Sequence, residues 1–195
     1  MEKKTAILLA EGFEETEAIV AIDVLRRVDI RIDTLASGAS RDIQSYHKIP
    51  MRMDALLSER GDELYDAILL PGGPQGARNL GADPLVAEFV RRHLDAGKLV
   101  CAICSAGAHV LAKNKLLGGR RYVCSGDNYK LYDDGVYVDR PIVREGNLLT
   151  CKGMGLAFEF AFTVATLLIG PEKVEEQADH VYFDHWRKDF PIADF

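Results

Sequence analysis

The chain has 195 residues, enough for one domain (residues 1–195) with a sizeable core. Its formal net charge of −6, with 48% hydrophobic and 28% charged residues, is ordinary for a soluble fold and gives no electrostatic reason to expect nucleic acid or an anionic membrane. Four cysteines do not make a disulfide scaffold, "MEKKTAILLAEGFEE" is not a signal peptide, and "GLAFEFAFTVATLLIG" is interrupted by Glu159 and too short to span a bilayer comfortably, so the expectation is a cytoplasmic chain with free thiols.

In chain order, "TAILLA" (5–10) predicts a buried strand. "EETEAIVAIDVLRR" predicts a helix with Ala18, Ala21, Ile22 and Leu25 on one stripe, and "IRIDTLAS" (30–37) the next strand. "YDAILLPGG" (65–73) is a strand stopped by Pro71 and two glycines. "DPLVAEFVRRHLDAG" is a helix with Asp83 as N-cap, Pro84 at the first helical position and Gly97 at its close. "KLVCAIC" (98–104) reads as a strand and "SAGAHVLAK" as the helix after it. "RYVCS", "VYVDRPIVREG" and "NLLTC" are short strands, "GLAFEFAFTVATLLI" and "PEKVEEQADHVY" are helices, and a polar, aromatic tail ends the chain. Alternating apolar strands and helices indicate an α/β fold with a mostly parallel sheet covered on both faces. Ligands then bind beyond the carboxyl ends of the strands, where "AEGFEE", "PGGPQG", "CSAG" and "CKGMG" fall.

Cys101 and Cys104 form a C-x-x-C. If 98–104 is extended throughout, the two side chains point to opposite faces with Cα atoms ~10 Å apart, too far for a disulfide. Cys101 is then a small buried hydrophobe. Cys124 and Cys151 supply no second C-x-x-C, so no zinc site is expected, and "DHVYFDH" reads as a solvated tail rather than a metal site. Cys104 differs because it sits where strand gives way to helix. Ser105, Ala106 and Gly107 let the chain turn tightly there, and a helix amino end favours a thiolate and can hold an oxyanion. Glu11, Glu14, Glu15 and Glu17 surround the first strand–helix junction, and one of them can reach Cys104; the pattern does not choose among them. "PGGPQG" lacks the ending of a phosphate loop and is a tight turn with exposed N–H groups. His93 and His109 fall on predicted helices, as structural or exposed residues.

Four ordered stretches, "LLAEGFEETEA", "YDAILLPGGPQGARNL", "AICSAGAHVLA" and "LLTCKGMGLAFEFA", resemble the ThiJ/PfpI superfamily, in the branch of the parkinsonism-associated protein deglycase and its bacterial relatives. The resemblance implies a flavodoxin-like three-layer α/β sandwich, a homodimer, and a cysteine-dependent enzyme that needs no cofactor or metal. Its substrates would be small reactive carbonyls, as in a glutathione-independent glyoxalase, or early carbonyl adducts on glycated proteins. It places the nucleophile at Cys104, its partner at Glu17 and the oxyanion-binding backbone at Gly72, Gly73 and Ser105, with Glu14, His47 and Cys124 as neighbours. Family members in this branch often carry a histidine at the position of Cys124, and many place an arginine near the position of His47. Related proteases carry histidine directly after the nucleophile, where this chain has Ser105, so a peptidase is not expected. A redox-responsive stress protein or chaperone working through oxidation of Cys104, or an amidase-like hydrolase, would use the same residues.

Overall fold

The structure, a computed structural model, describes residues 3–183 and 192–194. The strands are β1 (Lys4–Leu9), β2 (Arg31–Ala36), β3 (Asp42–Gln44), β4 (Pro50–Arg52), β5 (Ala55–Leu56), β6 (Ala67–Leu70), β7 (Leu99–Ile103), β8 (Arg121–Tyr122), β9 (Val136–Tyr137), β10 (Ile142–Glu145), β11 (Leu148–Cys151) and β12 (Ile192–Asp194). The α-helices are α1 (Glu15–Arg27), α2 (Leu57–Arg60), α3 (Gly76–Ala82), α4 (Pro84–Asp95), α5 (Ala157–Ile169) and α6 (Glu172–His180); a π-helical segment, the elbow helix, spans Gly107–Ala112. Eight strands form one sheet in the order β12-β10-β11-β7-β6-β1-β2-β5, parallel except for the β10–β11 pair. The expected α/β sandwich with a mostly parallel sheet is what forms.

Successive side chains of a strand face opposite ways, and the core divides accordingly. Ile7, Leu9, Leu69, Cys101 and Ile103 pack with α1, α5 and α6 on one face. Ala6, Leu8, Leu70, Val100 and Ala102 pack with α3, α4 and the elbow helix on the other. The predicted stripe of α1 is buried throughout, and α4 begins with the Asp83 carboxylate accepting the Leu85 N–H at 2.9 Å and Pro84 at its start. Gly97, with φ 68°, closes it.

Several elements were not anticipated. The β3–β4 hairpin stands outside the main sheet, and "RYVCS" contributes only Arg121–Tyr122, which pairs with β9 rather than with the large sheet. Residues 192–194 of the predicted polar tail pair with β10 at the sheet edge. His185 of "DHVYFDH" lies outside the described residues.

Glycine-rich α3 is held by close approach rather than by helix propensity. A Cβ on Gly76 would come within 2.5 Å of the Phe13 Cα, and one on Gly81 would collide with the His109 carbonyl oxygen. Gly81→Ala is therefore expected to destabilise the fold by about 3 kcal/mol, as overpacking of a closed contact does. Urea unfolding measures it; a loss below about 0.5 kcal/mol would show that α3 slides freely on the elbow helix.

Candidate active site

The site forms at the carboxyl ends of β1, β6 and β7. β7 ends at Ile103, and Cys104 takes φ 63°, a left-handed backbone that few non-glycine residues adopt. This turn swings its side chain back, so Cys104 packs against the same core cluster as Cys101. The expectation of opposite faces fails here because it assumed extended backbone through residue 104. Its other half holds: Cys101 is fully buried, and all four cysteines are free. The Cys104 N–H donates to the Cys151 carbonyl at 2.9 Å and its own carbonyl accepts the Ser125 N–H at 3.2 Å, which pins the strained residue from both sides.

Each acid of the first junction has its own task. Glu11 accepts the Gln44 N–H at 2.8 Å. Glu14 caps α1, its carboxylate accepting the Glu17 N–H at 2.7 Å. Glu15 holds His47 Nδ1 at 2.6 Å. Glu17, 1% exposed, turns inward, and its Oε2 accepts the Gly72 N–H at 2.7 Å. A Cβ added to Gly72 would lie 3.0 Å from both the Cys104 Sγ and Glu17 Oε2, so sulfur, carboxylate and glycine backbone meet around one point. The Glu17 Oε1 is buried and has no hydrogen-bond partner among the described residues.

The electrostatics of this pair are coupled. Burial raises the Glu17 carboxyl to about 7 against the hydrogen bonds from Gly72 and Cys104 that lower it. Burial, then the charge of Glu17, pushes the Cys104 thiol up to about 11, while the Ser125 side chain and the Ser105 N–H pull it down. Burial opposes a charge on either group, and a charge on Glu17 opposes one on the sulfur, so the two share one proton balance. The helix-end preference for a thiolate is opposed here by burial and by the neighbouring carboxylate, since Cys104 sits half-buried before the helix begins. Burial raises Cys101, Cys124 and Cys151 as well, Cys124 to about 12.

Above the pair opens a cleft of about 370 Å³, with Glu14, Glu17, His47, Gly73, Cys104 and Ser105 among the residues that line it. The expected neighbours Glu14 and His47 are therefore present. The Gly72 N–H is taken by Glu17, while Gly73 and Ser105 are among the residues that line the cleft. Cys124 does not line it. Its side chain is fully buried in the second core cluster, and a Cβ on Gly107 would stand 3.2 Å from its own Cβ. Ser125 reaches the sulfur instead.

Further lining residues, among them Ser125, Arg78 on α3 and His109 on the elbow helix, carry no signal in the sequence that places them at the site. His109 Nδ1 lies 3.0 Å from the Tyr132 hydroxyl, and burial, with the charges of Arg78 and Lys113, holds it below the usual histidine range. His93 is structural, as expected: its Nε2 accepts the Tyr65 N–H at 3.0 Å and its Nδ1 meets the Phe89 carbonyl at 2.7 Å. The elbow helix is wider than an α-helix, with N–H groups of Lys113 and Leu116 bonding to carbonyls five residues back. Such segments recur at functional sites. Among the described residues no group of three or more His, Cys, Asp or Glu side chains could hold a metal ion, and no helix is long and apolar enough to cross a membrane.

The model of the DJ-1/PfpI family matches residues 3–167. Protein dj-1beta of Drosophila melanogaster is 35% identical over 181 residues, which cover 91% of this chain and 96% of that protein. The glutathione-independent glyoxalase DJR-1.2 of Caenorhabditis elegans is 32% identical over 174 residues, covering 88% and 92%. Among solved structures, a DJ-1 superfamily protein of Salmonella typhimurium, crystallised with a cysteine replaced by alanine, superposes with a TM-score of 0.91 at 56% identity, over 92% of this chain and 98% of that one. Agreement of sequence and fold along nearly the whole length of these relatives, under a family model that spans most of the chain, means that this protein belongs to the DJ-1/PfpI family.

Proposed function

We propose that the chain is a cofactor-independent enzyme acting on small reactive carbonyls, a glyoxalase-type catalyst in which Cys104 is the nucleophile and Glu17 the proton carrier. The observation that carries this reading is the Cys104–Glu17 pair on the floor of a cleft sized for a small molecule. The name of the Caenorhabditis elegans relative, a glutathione-independent glyoxalase, supports the substrate class.

The chemistry starts when the Cys104 sulfur bonds to the aldehyde carbon of a 2-oxoaldehyde. The carbonyl electron pair moves to oxygen, which receives the thiol proton by way of the Glu17 carboxylate, giving a hemithioacetal. Glu17 then removes the proton from the former aldehyde carbon. The freed pair forms an enediolate with the neighbouring carbonyl; the hydroxyl proton on the first carbon passes to the oxygen of the second, and Glu17 returns its proton to that second carbon, leaving a thioester of a 2-hydroxy acid. Water adds to the thioester, the carbon–sulfur bond breaks, and Cys104 leaves with the proton restored. One carbon is oxidised as its neighbour is reduced, so aldehyde plus water gives hydroxy acid with no outside oxidant. Gly73 and Ser105 line the cleft, and their backbone N–H groups would take up the charge on the substrate oxygens. Early carbonyl adducts on proteins hold this carbon as a hemithioacetal or hemiaminal; there Cys104 would replace the protein thiol or amine, which leaves with a proton from Glu17, and the later steps would be the same.

Turnover of methylglyoxal to lactate without added glutathione tests the reading. No turnover, with Cys104 instead gaining two oxygens under mild peroxide, would turn the pair into a redox sensor. Hydrolysis of simple amides in place of methylglyoxal would point to the amidase class.

A homodimer is also proposed. Ile19 of α1, Tyr46 and Ile49 of the hairpin region, and Met154 and Phe158 at the start of α5 are all exposed large apolar residues. Light scattering at micromolar concentration is expected to give about twice the chain mass of 21.6 kDa. A monomer would remove the dimer and any role for a second subunit at the site.

A further inference from the structure

We propose that Arg78 is the anion-recognising residue of the cleft and makes it selective for substrates that carry a carboxylate or phosphate group beyond the reactive carbonyl. The inference deepens the carbonyl-enzyme reading and rests on Cys104 as its reactive centre.

Among the described residues lining the cleft, Arg78 is the only arginine or lysine. It is exposed, and among the described residues no acid pairs with it. The acids close by are already engaged: Glu14 accepts the Glu17 N–H, Glu17 accepts the Gly72 N–H, and Glu15 holds His47. The guanidinium is felt inside the site, since its charge helps hold His109 below the usual histidine range.

Its placement is built into the fold. α3 is locked at one end by Gly76 against Phe13, on the loop that leads to Glu17, and at the other by Gly81 against the His109 carbonyl of the elbow helix. The Asn79 side chain adds a bond to the Glu11 carbonyl at 2.8 Å. Arg78 therefore stands on a short rigid bridge between the two segments that supply Glu17 and Cys104. An unpaired guanidinium presents a flat, permanently charged fork suited to carboxylate and phosphate oxygens. A neutral 2-oxoaldehyde would use only the pair below it; an anionic one would be held at both ends. The 2-hydroxy acid product, itself a carboxylate, would meet the same residue on leaving.

Two alkylating agents of nearly equal size test this directly at Cys104: iodoacetate, which is anionic, and iodoacetamide, which is neutral. The ratio of their rate constants, read by mass mapping of the Cys104 peptide, cancels any change in thiolate fraction. Arg78→Gln is expected to lower the iodoacetate-to-iodoacetamide ratio roughly three- to fivefold, the scale of one exposed charge lining the same cleft as the reacting sulfur. Arg78→Lys should keep most of the ratio. Lys173→Gln, which removes the same charge from α6, should leave it unchanged. Raising ionic strength from about 0.01 M to 1 M should erase the difference between wild type and Arg78→Gln, because the screening length shrinks from ~30 Å to ~3 Å. Protection of Cys104 from iodoacetamide by lactate assigns a carboxylate ligand and protection by inorganic phosphate a phosphoryl one; protection by neither overturns the ligand class. A ratio unchanged by Arg78→Gln, with Cys104 still alkylated, overturns the Arg78 assignment and leaves the Cys104 reading standing. Cys104 inert to both agents overturns both.

Discussion

Replacing Glu17 with glutamine is expected to cut methylglyoxal turnover roughly 10²- to 10⁴-fold, the usual worth of a positioned acid–base group, and at the same time to make the fold more stable above neutral pH. Glutamine keeps the shape and can still accept the Gly72 N–H, but it carries no transferable proton. Stability responds because the folded protein holds the Glu17 carboxyl near 7 instead of its ordinary 4.5. Below about pH 4.5 both folded and unfolded chains hold the proton, and Glu17 costs nothing. Between 4.5 and 7 the unfolded chain releases a proton that the folded one keeps, so stability falls as pH rises. Above 7 the buried charge carries its full penalty, up to roughly 3 kcal/mol at ~1.4 kcal/mol per pH unit. Glu17→Gln should match wild type in urea unfolding near pH 4.5 and exceed it by about 2–3 kcal/mol at pH 8. An equal difference at both pH values would mean that Glu17 titrates as an ordinary carboxylate. Undiminished turnover would remove it as the proton carrier. Glu14→Gln and Glu15→Gln, whose side chains cap α1 and hold His47, should each stay within about threefold of wild type, since neither touches the reacting atoms in the proposed mechanism.

The second large effect is expected at the elbow. Cys104→Ala and Cys104→Gly should both lower turnover by at least about 10³-fold, because no other group can form the thioester. Their stabilities should differ in an unusual direction. Elsewhere in a fold glycine is the less stable choice. At φ 63°, however, a Cβ meets the backbone, a strain of roughly 1–2 kcal/mol that glycine does not feel. Cys104→Gly should therefore be more stable than Cys104→Ala by about 1 kcal/mol in denaturant unfolding. The reverse order would show that Cys104 is not held in the left-handed region in solution.

Much of the fold is legible because it rests on short-range signals. The stripe of α1, the Asp83–Pro84 start and Gly97 close of α4, and the apolar runs of β1, β6 and β7 each carry their own period or punctuation. α3 carries none. "GARNLGA" holds two glycines, which lower helix propensity, and it is helical because those same glycines let it press against Phe13 and His109. The β3–β4 hairpin and β12 were missed for a related reason: three-residue strands pair only where the rest of the fold offers them an edge.

By itself the sequence determined the α/β class, the placing of the candidate site at the strand ends, the elbow at Cys104 and, through four ordered motifs, the family. These depend on residue types at fixed local spacing, and local spacing survives in a linear string. Tertiary structure decided the rest. It gave the physical reason why Glu17, which only the family resemblance and not the residue pattern picks out from Glu11, Glu14 and Glu15, is the acid at the sulfur: its side chain alone turns inward. It carried Cys104 to the same face as Cys101, put Ser125 rather than Cys124 beside the sulfur, and brought Arg78 and His109 from two other elements to the same cleft. It also set the proton balance of the pair, because the cost of a charge depends on how far its surroundings exclude water, and that is a property of the packed fold and not of neighbouring letters.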